Sequence, residues 1–177
     1  MTLAAVFCCA MTTTVLTACG GNDDGDVPGP DKTPVAGKMT ASYQVSEDML
    51  KYLTISVEYY DADGNVKKEQ MDKTEWAKEV KAKLPAKVGA RLLMKLKDGV
   101  DASTITSIAF SRTYAYKCVA VTSSDAEVGE GKAGGMSQSV TLNGEKLVAL
   151  LEKHATEGFD KFLYILDGKT ITSTSWE

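Results

Sequence analysis

The feature that most constrains the fold of this chain is a regular alternation of apolar and polar residues. It is clearest at residues 53–59, where every second residue is apolar. Successive side chains of a strand point to opposite faces, so this alternation predicts a strand with one buried face. A turn sequence at residues 61–65 follows directly, and it predicts a hairpin whose second strand covers residues 66–71.

A second, longer stretch at residues 105–121 is also typical of a strand, because it is apolar and rich in β-branched and aromatic residues. Its apolar pattern changes phase towards the end, which predicts a bulge or a bend. One predicted face carries Phe110, Arg112, Tyr114, Tyr116 and Cys118, and the other carries Val119 and Val121.

Two segments predict helices. Apolar residues recur every fourth position in residues 74–84, which predicts a short helix, although a strand through Trp76 is the alternative. Asn143 is a favourable N-cap residue, and it predicts a second helix over residues 144–155 that ends before Gly158.

The full pattern favours a mainly β fold. We predict about eight short strands joined by hairpins and accompanied by one or two short helices, in an antiparallel β-sandwich of immunoglobulin or transthyretin type. An α+β fold is the alternative. The folded part is predicted to be a single domain over residues 39–177. Further strands are predicted near residues 43–45, 88–96, 136–142, 162–166 and 170–176, and a polar, glycine-rich loop at residues 123–135.

Composition limits the partners that this chain can have. Its 177 residues are 44% hydrophobic, enough to build a core, and its formal net charge is -4. Proteins that bind nucleic acid usually carry a basic stripe, so we expect no nucleic-acid partner. One histidine and four cysteines are few for His-rich or Cys-rich sites, and we expect neither a metal nor a cofactor.

The first 18 residues are uncharged and mostly apolar or small. This apolar run is shorter than the roughly 20 residues that a membrane-spanning helix needs, and it is typical of the core of a signal peptide. It ends in Leu16-Thr17-Ala18-Cys19, which resembles the lipobox of bacterial lipoproteins. The resemblance implies that residues 1–18 are removed and that Cys19 carries the lipid. One departure is the absence of basic residues near the start.

Residues 19–38 are rich in glycine, proline and aspartate, which predicts a flexible acidic linker. Asp23, Asp24 and Asp26 follow the lipobox closely and resemble the surface-export signal of Bacteroidota lipoproteins. This resemblance implies a protein that is anchored in the outer membrane and exposed at the cell surface. An ordinary solvated linker is the alternative. Cys118 would be the cysteine left in the folded domain, and we expect it to be buried.

Sequence motifs for catalysis or cofactor binding are incomplete. Residues 129–134 match G-x-G-x-x-G, but a strand-like segment follows where a dinucleotide site needs a helix. Asp61, Asp63 and Asn65 have the first spacings of a calcium loop without its glycine and final glutamate, so we expect a hairpin turn. His154 lies at helical spacing from leucines, which favours a structural role. We therefore predict no catalytic residue.

Four tyrosines form the candidate binding surface. Tyr52 and Tyr60 are predicted on the outer face of the second strand, and Tyr114 and Tyr116 are exposed if the long strand has the opposite phase. Flat aromatic faces can stack on sugar rings or on the side chains of a partner. The alternative is that these tyrosines cover the edge of the core.

These observations favour a non-catalytic binding module, held at the membrane through Cys19, whose partner is a glycan or an envelope or host protein. The first alternative is a structural or assembly subunit of a surface complex, which an exposed edge strand would favour. A small hydrolase is the least favoured alternative, since His154 would be its only candidate base.

Overall fold

The computed structural model describes residues 32–176, and the predicted signal peptide, Cys19 and most of the acidic linker lie outside them. Two antiparallel sheets pack face to face, which confirms the predicted β-sandwich with two short helices. The strands are β1 (Ala36–Val45), β2 (Leu53–Tyr60), β3 (Val66–Gln70), β4 (Glu75–Lys83), β5 (Ala86–Leu96), β6 (Ile108–Val121), β7 (Glu127–Leu142), β8 (Phe159–Leu166) and β9 (Ile171–Ser173), and the α-helices are α1 (Glu47–Tyr52) and α2 (Gly144–Lys153).

The first sheet has the strand order β4-β1-β6-β7, and the second has the order β3-β2-β5-β8-β9. The central strands β1, β2 and β5 turn alternate apolar residues towards the other sheet, as the period-two pattern predicts. The core between the sheets is therefore continuous. Its largest fully buried side chains include Tyr43, Phe110, Met39, Leu92, Ile55 and Leu166.

The helix predicted at residues 74–84 is wrong, because this segment forms β4 and pairs with β1 along its length. Trp76 and Val80 do share a face as predicted. A spacing of four residues, however, places side chains on one face of a strand as well as on one face of a helix. The burial of Ala82 continues the two-residue period, so the strand through Trp76 is the correct alternative.

The loop predicted at residues 123–135 is also wrong over most of its length, because β7 begins at Glu127. The glycine-rich motif forms part of this strand and pairs with β6. Cys118 pairs with Lys132 whereas Ala120 pairs with Val128, so residues 129–131 form a bulge opposite one residue of β6. The bulge predicted within the long strand is therefore not found there, because β6 pairs with β1 in unbroken register from Arg112 to Val121 and the extra residues lie on β7.

The two faces predicted for the long strand are confirmed by the burial of its side chains. Phe110 and Cys118 lie in the main core, whereas Val119 and Val121 pack with Ala36 in a separate small cluster. Burial raises the pKa of the Cys118 thiol to about 12, so this thiol is protonated at neutral pH.

The helix predicted after Asn143 is confirmed, and its N-cap geometry is as expected. The Asn143 side chain accepts a hydrogen bond from the backbone N–H of Lys146 at 3.1 Å. The sequence pattern did not predict α1, which has only six residues and is capped by Ser46. Neither this helix nor any other in residues 32–176 is long and apolar enough to cross a membrane.

One side of the sandwich is closed by the Glu69 carboxylate of β3. It accepts hydrogen bonds from the Tyr59 hydroxyl at 2.7 Å, from Trp76 Nε1 at 2.8 Å and from Lys78 Nζ at 2.6 Å. These partners lie on β2 and β4, so the carboxylate joins the two sheets. The hydrogen bond from Lys78, followed by the bond from Tyr59, lowers the pKa of Glu69 to about 2.

We expect Glu69→Gln to lower the free energy of unfolding by about 1 kcal/mol at pH 7, a value reduced for screening because the Glu69 side chain is 38% exposed. A lowered pKa stabilises the fold above the unfolded-state value of 4.5, and this contribution is lost as pH falls towards 2. Urea unfolding measured from pH 7 down to pH 2 should show the free energies of unfolding of the variant and of the unsubstituted protein converging. An undiminished difference at pH 2 would contradict this, and Glu130→Gln is the exposed control.

Candidate interaction surface

In the structure, neither Tyr52 nor Tyr60 is part of an exposed row of aromatic side chains. Tyr52 ends α1 instead of lying on the outer face of β2, and the Lys51 ammonium lies 4.7 Å from its ring centroid. Tyr60 does lie on the outer face of β2, but it is only 7% exposed because Trp176 packs against it, with ring centroids 5.2 Å apart. The exposure predicted for Tyr60 is therefore wrong, since the sequence pattern does not show that Trp176 returns to this face.

Tyr114 and Tyr116 point between the sheets and are half-buried. The Tyr116 ring lies parallel to Phe162 with centroids 4.0 Å apart, and its hydroxyl is 2.8 Å from that of Tyr164. On the neighbouring strand, a Cβ built on Gly134 would lie 2.8 Å from the Tyr116 hydroxyl. Other side chains thus occupy the ring faces that a sugar would need, and burial raises the pKa of Tyr116.

The exposed edges of these tyrosines line a cleft of about 440 Å³ beside β8. Its charged side chains are already paired, since Arg91 binds Glu58 and Lys161 binds Glu157. The indole Nε1 of Trp176 is buried and has no hydrogen-bond partner within residues 32–176. This donor would reach a small ligand in the cleft only if the indole turned to expose it. Its aromatic lining comprises Tyr114, Tyr116, Phe162, Tyr164 and Trp176.

Residues of the incomplete calcium and hydrolase motifs make structural contacts in the fold. Within residues 32–176, no three His, Cys, Asp or Glu side chains come together in a group that could hold a metal ion. Asp61 caps its own turn, where its carboxylate accepts hydrogen bonds from the backbone of Asp63 and Asn65. The ring of His154 packs against Phe159 with centroids 4.4 Å apart, at the edge of the core.

A buried ion pair connects the interior to β7. Arg112 Nε donates to Asp160 Oδ2 at 2.7 Å, and both side chains lie between the sheets. The same guanidinium donates from Nη2 to the side-chain oxygen of Gln138 on β7. Arg112 therefore holds the middle of β7 against the sandwich, even though most residues of this strand are exposed.

β7 is the most exposed long element among residues 32–176. It has 16 residues and pairs only with β6 in the part of the chain that the structure describes. All of its residues are exposed except Val128 and Leu142, which are half-buried. Its second part, residues 133–142, contains no charged residue and no proline. The N–H and C=O groups along its outer side are thus open to another strand.

The other three sheet edges carry features that discourage strand pairing. β3 and β4 present exposed charged side chains, and β9 has only three residues. Natural proteins protect edge strands by charge, by short length and by bulges. In β7 this protection is confined to the first part, with Glu127, Glu130, Lys132 and the bulge at residues 129–131.

The inner face of β7 adds an apolar component to this open edge. Met136 pairs with Tyr114, and Val140 pairs with Phe110, yet Met136 is 44% exposed and Val140 is 47% exposed. A central Gln138 separates them on the same face. The strand at residues 136–142 was predicted, but sequence reasoning missed its position at an open sheet edge, because strand order depends on pairing between distant segments. The apolar residues at alternate positions from Met136 onwards were the signal for the strand itself.

The comparisons with known proteins add no relative. No protein-family model, no curated protein and no solved structure matches this chain. The geometry of β7 and of the cleft is therefore the remaining indication of function.

Proposed function

We propose that this protein is a non-catalytic interaction module of the bacterial cell envelope, anchored in the outer membrane through a lipid on Cys19 and displayed at the cell surface. The resemblance of residues 16–19 to a lipobox, and of the acidic linker to an export signal, supports the anchor and the location. The observation that carries the interaction is the uncharged, unprotected edge of β7 at residues 133–142.

The chemistry of an open edge favours a protein partner that adds an extended strand. The backbone groups of β7 would supply hydrogen bonds to any extended chain, and the side chains at alternate positions would select its sequence. Met136 and Val140 would lose water from their exposed apolar surface in the process. A structural subunit of a surface assembly would use the same edge, so this alternative differs in the partner and not in the binding surface.

A small carbohydrate in the cleft beside β8 is a second candidate, favoured by the unpartnered Nε1 of Trp176. If the indole turned to expose this buried atom, a sugar hydroxyl would accept the hydrogen bond that the indole does not make within the described residues. The tyrosine rings of the cleft, however, are stacked on each other or on Phe162, which leaves little flat surface for a sugar. We therefore favour the protein partner.

The test uses the full chain in intact cells, with a photo-reactive residue at Ser139 on β7. We expect illumination to cross-link the protein to a defined protein partner through this position. The matched control is Ala77 on β4, which is exposed on the opposite edge strand of the same sheet and should give no such product. In the same cells, Cys19→Ala should move the protein from the membrane fraction to the soluble fraction.

Two results would contradict the proposal. Equal yields of cross-linked product from Ser139 and from Ala77 would show that β7 binds a partner no better than β4 does. The absence of any product from Ser139, with a glycan bound in the cleft by titration, would favour the second candidate.

A further inference from the structure

We propose that the strand added to β7 is β7 of a second copy of this chain, paired antiparallel about a two-fold axis at Gln138. This inference rests on the proposed function, and it names the partner. It would join two four-stranded sheets into one continuous sheet across the axis.

The sequence around Gln138 is symmetric in the chemical type of its residues. Residues 136–140 read Met-Ser-Gln-Ser-Val, which is apolar, serine, glutamine, serine, apolar in either direction. In an antiparallel pair centred on Gln138, Met136 of one copy stands opposite Val140 of the other, and this contact occurs twice. Directly opposed side chains on one face are the main source of stabilisation between paired strands.

Both faces of the paired strands are compatible with this register. On the inner face, Met136 and Val140 are the exposed large apolar residues of β7, and each would cover the other. On the outer face, Ser137 would stand opposite Ser139, and two hydroxyls in this position can exchange a hydrogen bond. Thr113 and Ser137 already make such a cross-strand contact at 2.8 Å within one copy.

The ends of the uncharged stretch fit the same register. Gly135 would pair with Thr141, and Gly134 would pair with Leu142, so no charged residue would oppose another. The next residues outward are Ala133 and then Lys132, beyond which lies the bulge at residues 129–131. A bulge twists the edge and ends pairing, so the charged part of β7 would lie outside the shared segment.

A common anchor would favour this contact between copies. Chains tethered to one membrane meet at an effective concentration of the order of millimolar, as linked binding partners do. A short strand pairing that is weak in dilute solution could therefore form on the membrane. Every copy of this chain would carry the same anchor, so another copy is the binding partner whose local concentration the anchor raises most directly.

The test is a disulfide cross-link between two tagged full-length chains that are expressed in the same cells. Met136→Cys in one chain and Val140→Cys in the other would be directly opposed, with Cα atoms about 5 Å apart, a distance that a disulfide spans. We expect at least about tenfold more cross-linked dimer from this mixture than from either variant alone. In each variant alone the two introduced cysteines would be offset by about 13 Å along the strands.

Two controls separate this register from random collision. Val66→Cys lies on β3 with 51% exposure, close to that of Val140, and should give only background product with Val140→Cys. The unsubstituted chain reports the background from its own cysteines, of which Cys19 and Cys118 remain after the proposed removal of residues 1–18. Equal yields from Met136→Cys with Val140→Cys and from Val66→Cys with Val140→Cys would overturn the proposal.

The outcomes also separate this inference from the proposed function. Suppose that Ser139 cross-links to a different protein and that the mixed cysteine variants give only the background yield of disulfide. This result would overturn pairing with a second copy of the chain and would still support the proposed interaction module. No product in either experiment would overturn both. A strong disulfide yield in the mixed cells and a photo-product of twice the mass of the chain would support both.

Discussion

Replacing Arg112 with methionine is expected to lower the free energy of unfolding by about 3–5 kcal/mol, the range for removing one partner of a buried ion pair. Methionine keeps much of the volume of the arginine side chain but removes its charge. The carboxylate of Asp160 would then be left in the interior without its counter-charge. Urea unfolding at pH 7, followed by fluorescence and by circular dichroism, measures the change.

The size of this effect follows from burial. The Arg112 side chain is 12% exposed and that of Asp160 is 3% exposed, and the guanidinium lies 5.2 Å from the ring centroid of Phe159. Burial raises the pKa of Asp160, and the Arg112 charge opposes this rise. Without Arg112 the pKa should rise further, so the variant should gain stability as pH falls through that pKa, because the protonated form tolerates burial better.

A second substitution tests this reason. Asp160→Asn in the Arg112→Met background removes the buried charge, and it should restore most of the lost stability. Asparagine also tolerates the backbone at this position, where φ is 48°. Lys161→Met breaks the exposed pair with Glu157 and should cost less than about 1 kcal/mol. If the double variant were as unstable as the single one, lost packing would be the cause.

Gly144→Ala is expected to lower the free energy of unfolding by about 3 kcal/mol, the upper part of the range for overpacking. Gly144 is the buried first residue of α2, and a Cβ built on it would lie 1.7 Å from the carbonyl oxygen of Ala102. The obstacle is main chain, so α2 and the 3₁₀-helix at Ala102–Thr104 would have to separate. Thermal or urea unfolding measures the loss.

The control for this prediction is Gly64→Ala in the β2–β3 turn. Gly64 has a φ of 78°, but a Cβ there would meet no atom within 4 Å. Its substitution should therefore cost about 1 kcal/mol for backbone strain alone. If the two alanine variants lost equal stability, backbone conformation and not the clash with Ala102 would explain the effect at Gly144.

The sequence was sufficient to predict the elements whose pattern is local. Alternation at residues 53–59 predicted β2, and the capping side chain of Asn143 predicted the start of α2. It was insufficient for β4, because a four-residue spacing fits both a strand and a helix. It predicted the second part of β7, at residues 136–142, but not the first part, at residues 127–135, whose pairing depends on β6 and not on the propensities of glycine and serine.

The candidate surface was harder to predict than the fold, because it depends on which residues meet through space. The packing of Trp176 on Tyr60, 116 residues earlier in the chain, has no local signature. The same is true of the pairing between Arg112 and Asp160. An arginine on the otherwise apolar face of the long stretch was nevertheless a visible sign that a buried acidic partner would be needed.

The position of β1 has a mechanical consequence if the domain is tethered as proposed. The proposed linker would lead into β1, which is an inner strand, paired with β4 and with β6 along almost its entire length. A pull on the linker along the strand direction loads these two hydrogen-bonded ladders in shear, so many bonds resist together instead of opening one at a time. A partner held at β7 would receive this force through β6, and the first sheet would carry the tension from anchor to partner.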